Sequence, residues 1–185
     1  MQEQIQKSFN HLKIHTQYSI CEGTIKIDEL KDYCKKNKIK SVGLSDTSNL
    51  CGALEFSENI SKSGTQPIIG SQIYFKFKDV YGLLPLIALN KEGYKNIIKL
   101  SSKSYLDNDK ISEPHCNFEE LLSNNDGLVV FSGSINGLIG KLFNKGKFDE
   151  IEKIYKELNN TYKDNFYIEI QRHGDHNEKS FENFN

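Results

Sequence analysis

The sequence predicts an α/β fold with a parallel or mixed sheet, and three observations lead there. Short apolar runs alternate with longer stretches of helical periodicity along the whole chain. The strand candidates read as buried runs without strict alternation, as strands covered on both faces do. The polar residues His15, Asp46, Gln72, Ser134 and His173 fall where such runs give way to loops. In α/β folds that is where chemistry collects.

The elements follow in order. "HLKIH" is the first strand candidate, running into a polar turn. "TIKIDELKDYCKKNKI" places Ile27, Leu30, Tyr33 and Cys34 at helical spacing. "SVGLS" (41–45) is a compact strand that ends at "DTSN", a turn rich in capping residues. "CGALEFSENISKSG" reads as a helix stopped by Gly64. "QPIIG" and "IYFKF" form a strand pair, or one long strand bent at Gly70. "LLPLIAL" (83–89) is a buried strand in which Pro85 points to an edge or a bulge.

A helix with Tyr94, Ile97, Ile98 and Ser101 on one face comes next. It is followed by a short helix capped by Asn117, with Glu120 three residues on as a partial capping box. "GLVVFSGS" is a strand. "KFDEIEKIYKELNNTY" lines up Phe148, Ile151, Ile154, Tyr155 and Leu158 on one stripe, and "NFYIEIQRHG" closes as a strand. No internal repeat, linker or domain boundary interrupts residues 1–185.

Composition narrows the function classes. With 37% hydrophobic and 26% charged residues, the 185-residue chain suits one ordinary folded domain. No run reaches the ~18 apolar residues of a membrane helix, and the polar N-terminus lacks a signal core, so a cytoplasmic location is expected. Potential glycosylation acceptors at Asn59 and Asn159 are then irrelevant. The net charge of −1 argues against strong nucleic-acid binding by this segment alone. Arg172 is the sole arginine, so the basic charge is lysine, which reads phosphates and bases poorly in bidentate fashion. Cys21, Cys34, Cys51 and Cys116 form no C-x-x-C pair and read as free thiols.

Metal sites in α/β barrels draw His, Asp and Glu from several strand ends. His11, His15, Asp46, Glu55 and His173 could supply such donors. His11 and His15, four apart, would lie roughly 13 Å apart along a strand and cannot chelate one ion together. The pattern that could is H-x-H, and its first position is Lys13, which when protonated has no lone pair to offer. A lone His15 reads more simply as a hydrogen-bonded structural residue, and Asp46 as a turn or helix cap. "GSING" around Ser134 is not a nucleophile elbow, and "GLIGK" (137–141) is not a phosphate loop. "RHGDH" (172–176) is the densest polar cluster; it reads either as a metal or phosphate site or as an exposed loop.

Taken in order, "HLKIHTQYSICEGTIKIDEL", "SDTSNLCGALEF", "QPIIGSQIYF", "LIALNKEGYKNIIKLSSKSYL", "GLVVFSGSINGLIGKL" and "DNFYIEIQRHG" resemble the N-terminal polymerase and histidinol phosphatase (PHP) domain of bacterial DNA polymerase III alpha subunits. The resemblance covers Phe9 to about His176. It implies a distorted (β/α)7 barrel, incomplete here at its C-terminus. In metal-bearing members it implies a trinuclear site for phosphoester hydrolysis, since clustered ions activate water and stabilise phosphate charge.

This sequence departs from that pattern at Lys13, Thr47, Gln72, Leu83 and Ser134; it keeps or conservatively changes His15, Glu22, Asp46 and His173. The expectation is therefore no bound metal, no catalytic residues and no phosphoesterase activity. The segment would be a scaffold inside a DNA-directed DNA polymerase whose own cofactor is Mg2+. The implied partners are the rest of the polymerase chain, a separate proofreading exonuclease subunit and other holoenzyme subunits, with DNA reached only through the parent and no membrane. The resemblance also implies a further strand with an N/D-x-H motif and polymerase regions beyond residue 185, which an incomplete barrel with an exposed sheet edge would need. The alternatives are a free-standing PHP-type metal-dependent phosphoesterase and a partner-binding module with no polymerase attached.

Overall fold

The computed structural model describes residues 9–108, 113–174 and 176–185. In chain order the elements are α1 (Ile27–Asn37), β1 (Ser41–Thr47), α2 (Ala53–Lys62), β2 (Gln66–Phe77), β3 (Val80–Ala88), α3 (Lys91–Leu106), β4 (Cys116–Asn117), α4 (Phe118–Ser123), β5 (Leu128–Phe131), α5 (Leu138–Asn144), α6 (Phe148–Tyr162), β6 (Phe166–Tyr167) and α7 (Glu178–Phe184). The six strands form one mixed sheet in the order β1-β2-β3-β5-β6, with β4 added beside the far end of β2. β1, β2, β5 and β6 run in one direction and β3 opposes them. Among the described residues the sheet is open and does not close into a barrel.

Two apolar cores flank the sheet. Ile27, Leu30 and Cys34 of α1 and Ala53, Phe56 and Ile60 of α2 pack on Val42 and Leu44 of β1. The larger core joins β2, β3 and β5 to α3, α4, α5 and α6, with Phe75, Leu86, Ile97, Phe118 and Ile154 at 2% exposure or less. Leu50 packs against both.

Helix boundaries follow local chemistry. Asn90 Oδ1 accepts the backbone N–H groups of Glu92 and Gly93 at 3.0 Å, starting α3. Glu120 Oε2 accepts the Asn117 N–H at 2.8 Å, so the capping box read in the sequence is present at α4. Lys38 ends α1 in a left-handed conformation, φ 52°.

The tertiary structure changes several expected elements. "HLKIH" is not a regular strand but an extended segment beside β1. It is held by Ile14 N–H to Gly43 O (3.1 Å), Gly43 N–H to His11 O (2.7 Å) and Ser45 N–H to Ile14 O (2.8 Å). Gly43 permits that approach: a Cβ there would lie 2.6 Å from Leu12 O. β2 is one continuous strand and not a pair of strands. Pro85 lies in an interior strand and not at the sheet edge, a placement tolerated because the β5 ladder starts one residue later, at Leu86.

"GLVVFSGS" and "NFYIEIQRHG" keep ladder geometry over only Leu128–Phe131 and Phe166–Tyr167. α5 arises in "GLIGK", where no element was expected. Tyr33, Ile98 and Phe148 sit on read-out apolar faces yet are 55%, 42% and 49% exposed. The long lever of an aromatic or the edge of a helical stripe escapes the core even when its neighbours do not.

Candidate functional site

The N-terminal segment and the loops after β5 and β6 open around a cavity of about 850 Å³. Its floor is apolar, formed by Leu83, Pro85 and Ile87 of β3 and by Phe131. The N-terminal segment supplies His11, Lys13 and His15; β1 and β2 supply Ser45 and Gln72. Gly133, Ser134 and Asn136 come from the β5 loop, and Glu169 to His173 from the segment after β6. Gly133 turns that loop with φ 76°, close against Leu83 O.

The structure thus gathers Lys13, His15, Glu22, Gln72, Leu83, Ser134 and His173, scattered over 161 positions of sequence, around one space. Glu55 is not among them; its Oε2 accepts the Tyr18 hydroxyl at 2.6 Å. Asp46 is completely buried and does not line the cavity. Oδ1 accepts Thr16 N–H at 2.6 Å and Ser19 Oγ–H at 2.7 Å, and Oδ2 accepts the Thr16 hydroxyl at 2.7 Å. Asp46 therefore pins the 16–19 loop to β1, a longer-range role than the local cap expected for it. Asp175 of the "RHGDH" cluster lies outside the described residues.

Two polar chains cross the cavity wall. In the first, Gln72 Nε2–H donates to Thr47 Oγ1 at 2.7 Å, and the Thr47 hydroxyl donates to Glu22 Oε2 in a short bond. In the second, Lys13 Nζ meets Glu169 Oε1 at 2.9 Å, and Gln171 Nε2–H donates to the same oxygen at 2.5 Å. Glu169 is the residue the sequence reading passed over. Its only signal was a lone acid inside the apolar run "YIEI". His173 faces the cavity while its backbone N–H is held by the Glu178 carboxylate at 2.8 and 3.0 Å.

Burial, reinforced by the nearby Lys13 ammonium, holds the His15 imidazole below its ordinary pKa, so His15 is neutral at pH 7. Its Nδ1, the Ser45 Oγ and the Glu169 Oε2 are buried without hydrogen-bond partners.

Three features of this wall bear on its capacity to hold a multi-ion metal centre. An ammonium neutralises Glu169, a hydroxyl engages Glu22, and a hydrocarbon occupies position 83. Among the described residues no three His, Cys, Asp or Glu side chains converge as metal ligands. All four cysteines are free; Cys34 and Cys116 are buried, and burial pushes the Cys116 thiol up to about 12. No helix among the described residues is long and apolar enough to cross a membrane.

The profile of the family described as PHP domain matches residues 11–173. The chain is 35% identical over 181 residues to the DNA polymerase III subunit alpha of Caulobacter vibrioides, covering 91% of this chain and 15% of that protein. The Haemophilus influenzae subunit alpha is 34% identical over 95% of the chain, and that of Helicobacter pylori 33% over 91%. The chain spans about 15% of the length of these relatives. A crystal structure provisionally named as a metal-dependent phosphoesterase from Bifidobacterium adolescentis superposes with a TM-score of 0.61. It shares 13% identity and covers 93% of this chain and 80% of its own, a likeness of fold.

Proposed function

This chain belongs to the PHP domain family, and from that premise we propose that it is the PHP portion of a bacterial replicative DNA polymerase III alpha subunit, working as a non-catalytic scaffold around a dismantled metal centre. The observation that carries this reading is the Lys13–Glu169 ion pair on the cavity wall. A protein-borne cation neutralises a cavity carboxylate, which removes the electrostatic reason to recruit an ion and repels any that enters.

The parent is then a DNA-directed DNA polymerase of the cytoplasm, using Mg2+ for nucleotidyl transfer in domains other than this one. Its remaining chain, a proofreading exonuclease subunit and other holoenzyme subunits are the partners. In that parent, further strands complete the distorted (β/α)7 barrel. Tyr167, Ile168 and Ile170, all exposed at or beside β6, are the apolar positions such a strand would cover.

Titration of the chain with Mn2+ and Zn2+ by calorimetry, paired with a phosphodiester hydrolysis assay, tests the scaffold reading. The expected result is no stoichiometric binding and no hydrolysis above background. Tight binding of two or three ions with metal-dependent turnover establishes instead the second reading, a metal-dependent phosphoesterase. That reading draws on His15 Nδ1 and Glu169 Oε2, buried and unpartnered atoms of two side chains that line the cavity.

A further inference from the structure

A net charge of −1 hides a local run of lysines. From Tyr33 to Ser45 the chain carries Lys35, Lys36, Lys38 and Lys40 and no acid. All four lysines are exposed. The fold brings a fifth beside them. Thr65 donates its hydroxyl to Ile39 O at 2.8 Å and Gln66 its N–H to Lys40 O at 2.9 Å, which sets the end of α2, with exposed Lys62, against the entry to β1.

Among the described residues none of these five lysines pairs with an acid within 4 Å. Lys35, Lys36 and Lys62 complement the negative C-terminal ends of α1 and α2. That role does not account for Lys38, held past the helix end at φ 52°, or for Lys40 on the strand approach.

The ridge is separate from the cavity. Lys40 precedes β1, whereas Ser45, five residues along the extended chain and so roughly 16 Å away, lines the cavity.

We propose that this lysine ridge is a docking surface for the phosphate backbone of nucleic acid. Protein interfaces are built around aromatic and arginine anchors and are depleted of lysine. The ridge has no arginine, and its one exposed aromatic, Tyr33, borders it one helical turn before Lys36. Unpaired ammonium groups on flexible stems suit diffuse neutralisation of regularly spaced phosphates, with no capacity to read bases. The contact is weak, independent of sequence and steeply salt-dependent. It rests on the lysines and not on the scaffold reading of the cavity, and it is compatible with either outcome of the metal titration.

The test is fluorescence anisotropy of a labelled duplex of about 20 base pairs titrated with the 185-residue chain between about 50 and 200 mM salt. Neutralising four phosphates makes affinity fall on the order of 100-fold across that range. The variant Lys35→Gln/Lys36→Gln/Lys38→Asn/Lys40→Gln, in which Asn tolerates the left-handed position, loses binding and the salt slope while keeping its circular dichroism spectrum. Lys36→Gln/Lys40→Gln alone halves the slope, which keeps the test intact if the fourfold variant misfolds. Absence of binding at the lowest salt, or equal binding by the substituted chains, overturns the proposal. So does binding of poly-glutamate in preference to duplex, which would assign the ridge to an acidic protein.

Discussion

Lys13 and Glu169 stand 156 residues apart in the chain and meet at 2.9 Å on the cavity wall, joining the N-terminal segment to the segment after β6. With side chains 25% and 13% exposed, the pair is sheltered enough that removing one partner costs more than removing both. Lys13→Met is expected to destabilise the chain by about 1–3 kcal/mol, and Lys13→Met/Glu169→Leu by less than the sum of the two single changes. A double-mutant cycle by urea denaturation measures the coupling, and strict additivity would show that the two charges do not act as a pair.

Restoring one imidazole is not expected to restore chemistry. Lys13→His leaves Thr47, Gln72, Leu83 and Ser134 in place, so metal-dependent exonuclease activity should stay at background. Measurable Mn2+-dependent release of nucleotides by that single variant would refute the mapping of lost positions.

Asp46 holds the 16–19 loop through three charge-assisted hydrogen bonds in a fully buried setting. Asp46→Ala strands the Thr16 and Ser19 donors and should cost about 3–5 kcal/mol. Asp46→Asn keeps the shape and loses part of the acceptor capacity, so it should cost less. Equilibrium unfolding of the two variants checks the order.

His15 gives stability a pH dependence of defined sign. Its folded pKa lies below the ordinary imidazole value of 6.5 because burial and Lys13 disfavour the imidazolium. The unfolded chain therefore takes up this proton first as pH falls. The contribution is fully present above about pH 7 and is lost as pH drops through 6.5 toward the lowered folded value. Thermal melts of the wild type and His15→Asn between about pH 8 and pH 5 should converge at the acid end, the variant showing the shallower slope. Parallel slopes would exclude His15 as the source.

Glu178, on the short helix α7, accepts the N–H groups of His173 and Gly174, the latter at 2.8 Å. α7 is itself anchored by Phe181 and Phe184 against Phe143. Glu178→Ala should raise amide exchange at positions 173 and 174 about 10-fold or more, with little change in the β2–β3 ladder. Unchanged exchange at those two amides would remove α7 as the brace of the cavity wall.

The order of most helices and strands, though not α5, was legible in the sequence because it depends on local periodicity and on caps such as Asn117–Glu120, which act within a few residues. So were the departures at Lys13, Thr47, Gln72, Leu83 and Ser134, since residue identity needs no coordinates. Strand lengths and neighbours were not. Whether Pro85 sits at an edge depends on where β5 docks, and whether "HLKIH" forms a ladder depends on Gly43 of another element.

The same division holds at the cavity. The sequence by itself determined which side chains are available and what charges they carry. Only the tertiary structure decided that Lys13 faces Glu169, that Asp46 turns away to hold a loop, and that five lysines share one end of the α1–β1–α2 layer. Contacts across such separations are set by how whole elements pack, since their enthalpy is gained only after the chain has closed the intervening loop, and no local pattern encodes that closure.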